Sequence, residues 1–200
     1  MPPTRKLLIA THNRDKLKEL SFLLGGVPFE LVSLSDVGIE LDADETGDTL
    51  EENATLKAET YARLSGLPTL ADDSGLEVEA LGGEPGVHSA RYAGEGATDE
   101  DRIALLLKNL ADYPQPWAAR FRCVAAIVRH GQAAELYSGE CRGEIITEPR
   151  GDNGFGYDPV FLITREGKTM AELTPDEKNR LSHRGAAAGK ARNALMGRTG

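Results

Sequence analysis

The feature that most constrains this chain is a change of hydrophobic period within its first 25 residues. Residues 7–10 form a short apolar run, which predicts a buried strand. The apolar residues that follow recur at helical spacing, at Leu17, Leu20, Leu23 and Leu24. Capping residue types at 11–13 predict the start of this helix, and Gly25-Gly26 predicts its end. A strand that passes directly into a helix is typical of an α/β fold.

The later helices are marked by their caps. Thr49 and Glu52 form a capping box for a second helix, which we expect to run to about Ser65. A third helix follows Thr98. Residues 174–177 (TPDE) combine a cap, a helix-starting proline and a glutamate, and they begin the last helical region, in which Ser182 can cap a second segment.

Strands are predicted between these helices, at residues 67–72, 76–80, 120–128, 133–146 and 160–163. Helices at both ends, strands in the middle and no regular βαβ alternation favour a mixed sheet. We therefore predict an α/β fold in which a long mixed β-sheet is flanked by helices. A chain of 200 residues is expected to form a single domain, with a frayed tail at 197–200.

Charge and composition argue against several classes of protein. The net charge of -9, from 32 acidic and 23 basic residues, disfavours a nucleic-acid partner. The apolar runs are too short for a membrane span or a signal peptide, so we expect no membrane association. Cys123 and Cys141 are too few for a disulfide scaffold, which predicts a cytoplasmic protein with reduced thiols.

An acidic pair is the strongest candidate for metal chemistry. Asp72 and Asp73 follow an apolar stretch and precede Ser74-Gly75, as metal ligands at strand ends commonly do; a solvated turn is the alternative. If the strand continues through both residues, their side chains leave on opposite faces, and only one would bind a metal directly. Glu45 is a second acidic source. This modest supply of carboxylates suits Mg²⁺ better than calcium or zinc.

Two lysines are candidates for binding an anion. Lys16 lies three residues after Asn13, at a strand-to-helix junction whose free amides favour anions; a solvated lysine on a surface helix is the alternative. The second helix carries one inward stripe, at Leu50, Ala54, Lys57, Tyr61 and Leu64. The Lys57 ammonium must therefore reach solvent, a carboxylate or a ligand. Asn53, at the edge of the stripe, either satisfies this lysine or is a polar boundary residue.

A loop and a basic cluster are candidates for binding a nucleotide. Residues 154–159 (GFGYDP) place two aromatic rings and a carboxylate in a glycine-containing loop, suited to stacking on a base; core aromatics are the alternative. Lys178, His183 and Arg184 lie together in the last helical region, either as an anion site or as a plain basic helix face.

Taken in order, these segments closely resemble the inosine triphosphate pyrophosphatase family, the HAM1-like enzymes that hydrolyse non-canonical purine nucleoside triphosphates to monophosphate and pyrophosphate. The resemblance covers nearly the whole chain, through residues 11–16, 45–47, 52–54, 71–76, 85–92, 154–159 and 178–184. His88 departs from the pattern, since relatives often carry tyrosine there.

The resemblance implies two lobes around the central sheet with a nucleotide cleft between them, a homodimer, and a nucleoside triphosphate substrate. It implies Asp73 as general base and Mg²⁺ ligand, with Glu45 as a further metal contact. The residues that it implies for binding the phosphates are Thr11, Asn13, Lys16, Lys57 and Ser74, together with His12, Arg14 and Asp15 of the same first segment. The residues that it implies for binding the nucleotide are Phe155, Gly156, Tyr157, Asp158, Lys178, His183 and Arg184, with Phe155 stacking on the base.

The resulting hypothesis is attack of water on the α-phosphoryl group of ITP, dITP or XTP, with Mg²⁺ bridging the phosphates and pyrophosphate leaving. Asp73 beside a metal is expected to keep a low pKa and to orient the water. Two other functions stay open. A related pyrophosphatase of modified pyrimidine or methylated nucleotides would differ in base preference, and a nucleotide-binding module would bind without turnover.

Overall fold

The computed structural model describes residues 5–197 and shows a mixed seven-stranded sheet with flanking helices. The helices are α1 (Arg14–Leu23), α2 (Leu50–Ser65), α3 (Asp99–Leu110), α4 (Pro175–Leu181) and α5 (His183–Leu195). The strands are β1 (Lys6–Ile9), β2 (Glu30–Ser33), β3 (Thr69–Val78), β4 (Trp117–Val128), β5 (Glu135–Ile145), β6 (Phe161–Ile163) and β7 (Lys168–Thr169). Of the tail predicted to fray, all but Gly197 lies outside the described residues.

The sheet has the strand order β2-β1-β3-β4-β5-β6-β7. Strand β1 pairs in parallel with β2 and with β3, whereas β6 pairs antiparallel with β5 and with β7. The parallel pairs come from the strand-helix-strand connections through α1 and α2, which cross over the sheet. The predicted α/β class with a mixed sheet is confirmed.

The chain forms two compact units, each with its own hydrophobic core. The first unit comprises residues 5–73, 123–139 and 184–197 of the described chain, and its core includes Leu7, Leu20 and Leu70. The second unit comprises residues 74–122 and 140–183, and its core includes Leu76 and Leu106. Strands β3, β4 and β5 each contribute residues to both units. Whether the whole chain acts as one nucleotide pyrophosphatase domain with two lobes stays a prediction.

The helix starts agree with the capping signals. The Asn13 side chain accepts hydrogen bonds from the amides of Asp15 and Lys16 at the start of α1. Capping boxes begin α2, α3 and α4, through Thr49, Thr98 and Thr174. An N-cap of this kind is worth about 1 kcal/mol, because it satisfies amides that the helix leaves unpaired.

Two predictions about local structure are wrong. We expected one strand to end at Asp72 and another to begin at Leu76, but β3 runs without a break from Thr69 to Val78. The inward stripe of α2 was predicted to include Leu64, whose surface is 48% exposed, so the buried stripe ends at Tyr61. Within residues 5–197, none of the helices combines the length and the apolar character that a membrane crossing requires.

Candidate active site

Strand β3 carries both acidic residues of the predicted site into the interior. Asp72 and Asp73 are 2% and 6% exposed, and neither lies in a solvated turn. Because successive side chains of a strand leave on opposite faces, the two carboxylates bind different partners. Their oxygens Asp72 Oδ1 and Asp73 Oδ2 are buried without a hydrogen-bond partner among the described residues.

Lys57 joins Asp73 to Glu45. Its ammonium donates to Asp73 Oδ1 at 2.9 Å and to Glu45 Oε1 at 2.8 Å. Burial alone would lower the pKa of Lys57, but Asp73 and Glu45 outweigh it and hold the pKa above its usual range. Burial raises the pKa of Asp73, with Lys57 and Lys16 opposing the shift. The Lys57 ammonium was predicted to reach solvent, a carboxylate or a ligand. The structure shows that it pairs with carboxylates.

Asp72 binds two other cations. Its Oδ2 accepts a hydrogen bond from Arg184 Nε at 3.1 Å and lies 3.3 Å from Lys16 Nζ. Arg184 is 1% exposed and also donates from its Nη1 to Glu19 Oε2 at 2.7 Å. Burial would raise the pKa of Asp72, but Lys16, Arg184 and Lys57 hold it well below its usual range. We call these seven residues the charged cluster: Lys16, Glu19, Glu45, Lys57, Asp72, Asp73 and Arg184.

The start of α1 differs in one respect from the prediction. Two of the amides expected to be free for an anion, those of Asp15 and Lys16, donate to Asn13 Oδ1 at 2.9 and 3.0 Å. The amide of Asn13 donates to Thr11 Oγ1. His12 Nε2 lies 3.2 Å from the carbonyl oxygen of Leu41, in the same unit. The exposed residues of this segment are His12, Asn13, Arg14 and Asp15, and the half-buried ones are Thr11 and Lys16.

The loop after β5, in the second unit, carries two aromatic residues, Phe155 and Tyr157. Lys178 Nζ donates to Asp158 Oδ2 at 2.7 Å and lies 4.6 Å from the centroid of the Phe155 ring. The Phe155 amide donates to the same carboxylate at 2.9 Å. Tyr157 is a core residue, as the alternative interpretation held, and its hydroxyl donates to the Ser89 carbonyl. Phe155 as a whole is half-buried.

The predicted basic cluster is not a plain helix face. Lys178, His183 and Arg184 are all buried, and each has its own contacts. The His183 ring stacks on Phe121, with centroids 4.7 Å apart and ring planes at 13°. Lys178 and His183 belong to the second unit and Arg184 to the first.

Ser74 follows Asp73 directly and is half-buried. The next residue, Gly75, allows a close approach of backbone, because a Cβ atom there would collide with the carbonyl oxygen of Gly86. Beyond it the Leu76 amide donates to Ser89 Oγ at 2.9 Å. This contact holds the segment that contains His88 against β3, within the second unit.

Several residues of these sites were missed by the sequence reasoning. Glu19 is part of the charged cluster and Cys123 contacts it, and Asp99 accepts a hydrogen bond from the Gly156 amide at 2.6 Å and so anchors the aromatic loop. Asn53 is fully buried and accepts the Gly47 amide at 2.8 Å, so neither role considered for it is right. Only Asn53 had a sequence signal, its place beside the inward stripe. The others depend on contacts between distant segments.

This chain matches known proteins both in sequence and in structure. The sequence model of the Ham1 family matches residues 7–194. The chain belongs to the Ham1 family. A dITP/XTP pyrophosphatase of Geobacter sulfurreducens is 49% identical over 91% of this chain and 92% of its own length. That of Methylococcus capsulatus is 50% identical over 98% of each chain. The solved structure of a HAM1 protein from Coxiella burnetii covers 96% of this chain, with 99% of its own length matched, at 42% identity and a TM-score of 0.89.

The carboxylates of this Ham1 family chain fit Mg²⁺ in number and in kind. The described residues contain no group of three or more His, Cys, Asp or Glu side chains placed to hold a metal ion. Asp73 and Glu45 nevertheless converge on one ammonium, and Asp73 Oδ2 is buried without a hydrogen-bond partner. Because Mg²⁺ takes only one or two carboxylates and completes its shell with water and phosphate oxygens, these two residues suffice to hold it.

Proposed function

We propose that this Ham1 family member hydrolyses the non-canonical purine nucleoside triphosphates ITP, dITP and XTP to the monophosphate and pyrophosphate. One observation carries the proposal: a buried carboxylate, Asp73, and a half-buried one, Glu45, meet on the Lys57 ammonium, and an Asp73 oxygen has no hydrogen-bond partner among the described residues. A paired lysine and carboxylates of this kind suit a reaction that depends on charge stabilisation and positioning. Relatives at 49% and 50% identity that bear the name dITP/XTP pyrophosphatase support this choice of substrate.

Asp73 is the residue that we propose to orient and deprotonate the attacking water. Without a bound cation, burial raises the pKa of Asp73 above its usual value. The earlier expectation of a low pKa presupposed a bound cation, which would act in the opposite direction. Glu45 and Asp73 would hold Mg²⁺, which supplies charge neutralisation to the phosphate oxygens when bound.

The remaining predicted residues take two roles in this proposal. Lys16, Lys57, Ser74 and the segment 11–15 bind the phosphates, where the lysine ammonium groups neutralise charge that develops on the leaving pyrophosphate. The ring of the half-buried Phe155 stacks on the base, and the buried Asp158-Lys178 pair fixes the loop that carries it. Gly156, Tyr157, His183 and Arg184 complete the predicted set. We also propose a homodimer and a cytoplasmic location.

The test is a substrate panel with product analysis. ITP, dITP, XTP, ATP and GTP are offered with Mg²⁺ and with a chelator, and the products are identified in water enriched in oxygen-18. We expect Mg²⁺-dependent turnover that favours the first three, pyrophosphate as the product, and the label in the monophosphate, because water attacks the α-phosphorus. Release of orthophosphate, or label in pyrophosphate, would contradict the mechanism, and equal turnover of all five would contradict the substrate preference.

The same assay includes Asp73→Asn, which keeps the side-chain volume but removes the charge that orients the water. We expect kcat to fall by at least about 100-fold, as for the loss of a general base. Glu77→Gln is the matched control, since Glu77 also pairs with two cations, Arg120 and Arg122, outside the proposed site. Its kcat should equal that of the wild type.

A further inference from the structure

Three donor groups lie close to a single carboxylate oxygen of Asp72. Its Oδ2 lies 3.1 Å from Arg184 Nε, 3.3 Å from Lys16 Nζ and 3.7 Å from Cys123 Sγ. The side chains of Asp72 and Arg184 are 0% and 2% exposed, whereas that of Lys16 is 16% exposed. The Lys16 ammonium is therefore the only one of the two paired cations with appreciable access to solvent, and so to a ligand anion.

Burying this carboxylate is costly unless its partners stay in place. A buried anion loses its hydration, and the cost is offset only by well-placed cations and hydrogen bonds. Burial raises the pKa of the Cys123 thiol, so the thiol keeps its proton for Asp72 at neutral pH. Removing Lys16 from this position would leave Asp72 with fewer compensating charges, which gives the lysine one strongly favoured position.

Arg184, which donates to the Asp72 carboxylate, also contacts helix α1, through Glu19. Lys16 and Glu19 stand three positions apart on α1, a spacing that places them on one face of the helix. Lys16 contacts Asp72 directly. Glu19 contacts Arg184, the other cationic partner of Asp72, because Arg184 Nη1 donates to Glu19 Oε2 at 2.7 Å. The first turns of α1 are thus tied to β3 at two points, and both ties depend on Asp72.

We infer that Asp72 is a positioning residue, which holds the Lys16 ammonium in the place where it meets the substrate's phosphates. The inference rests on the proposed function. It separates the two neighbouring carboxylates: Asp73 shares Lys57 with Glu45 and would hold the metal, whereas the ion pairs of Asp72 are with Lys16 and Arg184. We assign Asp72 no contact of its own with the cation or with the reacting atoms.

The decisive variant is Asp72→Asn, which keeps the shape and one acceptor oxygen but removes the charge. A lysine displaced by about 1 Å can cost on the order of 100-fold in rate, so we expect kcat to fall by about that factor. KM should change by less than about threefold, because the lysine's charge remains. Binding of Mn²⁺, measured by calorimetry without nucleotide, should match the wild type. An unchanged kcat, or Mn²⁺ affinity lost as in Asp73→Asn, would overturn the inference.

A double-mutant cycle separates positioning from general damage to the fold. In a Lys16→Met background, Asp72→Asn should lower kcat by less than about threefold, since its effect passes through Lys16. An undiminished effect in that background would show that Asp72 does not act through the lysine. Glu77→Gln again serves as the control, as a carboxylate with two cationic partners whose loss should leave kinetics unchanged.

Two outcomes keep the inference distinct from the proposed function. If the wild type releases no pyrophosphate from any purine nucleoside triphosphate, the proposed function fails; if it does and Asp72→Asn is fully active, only the inference fails. Should Asp72→Asn not fold, Lys16→Gln leaves the Asp72-Arg184 contact intact and must itself lower kcat by about 100-fold. Wild-type kcat in Lys16→Gln would overturn the inference.

Discussion

Lys57 is the counter-ion of the two carboxylates that we propose as metal ligands. With an exposed side-chain fraction of 11%, its ammonium sits within 2.9 Å of both Asp73 and Glu45. A divalent cation that binds these carboxylates competes with the ammonium for the same oxygens. Entry of the cation would release Lys57 from at least one of them, and the freed ammonium would be available to a phosphate. One residue thereby couples the metal and the phosphates.

Replacing Lys57 with methionine should strengthen metal binding and weaken the metal-free protein. Without the ammonium the two carboxylates repel each other, so we expect the metal-free form to lose on the order of 3 kcal/mol of stability. Mn²⁺ should bind about tenfold more tightly by calorimetry, equivalent to about 1.4 kcal/mol, and should raise the melting temperature more than in the wild type.

The control for that change is Lys190→Met, which removes a first-unit lysine whose ammonium donates to the Ser138 carbonyl. Mn²⁺ affinity should be unaltered there. Equal or weaker Mn²⁺ binding in Lys57→Met would show that the ammonium does not compete with the cation.

Among the secondary-structure elements, the helices followed from local sequence and β3 did not. Capping boxes act within three residues, so Thr49, Thr98 and Thr174 marked their helices correctly. The acidic pair in β3 was interpreted as a strand end because charged residues rarely occupy a buried strand. Its cations come from α1, α2 and α5, and Arg184 lies 112 positions from Asp72 along the chain. Such compensation cannot be read from neighbouring residues.

Local sequence likewise predicted only part of the candidate site. Periodicity placed Lys57 on the inward stripe, and strand alternation predicted that Asp72 and Asp73 would differ in their contacts. The identity of those contacts needed the fold. The pairing of Lys57 with Glu45 joins a helix to a loop, and spacing alone carries no signal for it.

Helix α4 should lose part of its stability in acid. Its capping box pairs the N-cap Thr174 with a carboxylate, Glu177, which accepts from the Thr174 amide and hydroxyl, and these hydrogen bonds lower the pKa of Glu177 to about 2. Because the folded pKa is below the unfolded value of about 4.3, the stabilisation is complete above that pH and is lost as the pH falls towards 2.

Glu177→Gln tests this dependence. The melting temperature of the variant should lie below that of the wild type at pH 6, and the difference should vanish near pH 2. Asp176→Asn, in the same turn, controls for the loss of any first-turn charge. A wild-type advantage over Glu177→Gln that persists undiminished near pH 2 would contradict the assignment of the cap.

At the scale of the whole molecule, two strands supply buried residues to both hydrophobic cores. Strand β3 supplies Leu70 to the first-unit core and Leu76 to the second-unit core, and β4 supplies Cys123 and Phe121 in the same way. Because the backbone of each strand is continuous, loss of one core frays strands on which the other depends. The two compact units should therefore unfold together.

If the two units unfold together, a substitution that destabilises one core also lowers the stability measured in the other core. Leu24→Ala, in the first-unit core, should cost about 3 kcal/mol, as for other buried leucines. Trp117, the chain's single tryptophan, lies in the second-unit core and reports its unfolding by fluorescence. We expect Leu24→Ala to shift the urea midpoint that Trp117 fluorescence reports as far as Leu106→Ala does. The rate of hydrogen exchange at residues 7–10 should rise equally in both variants. A Trp117 transition unmoved by Leu24→Ala would mean that the units unfold independently.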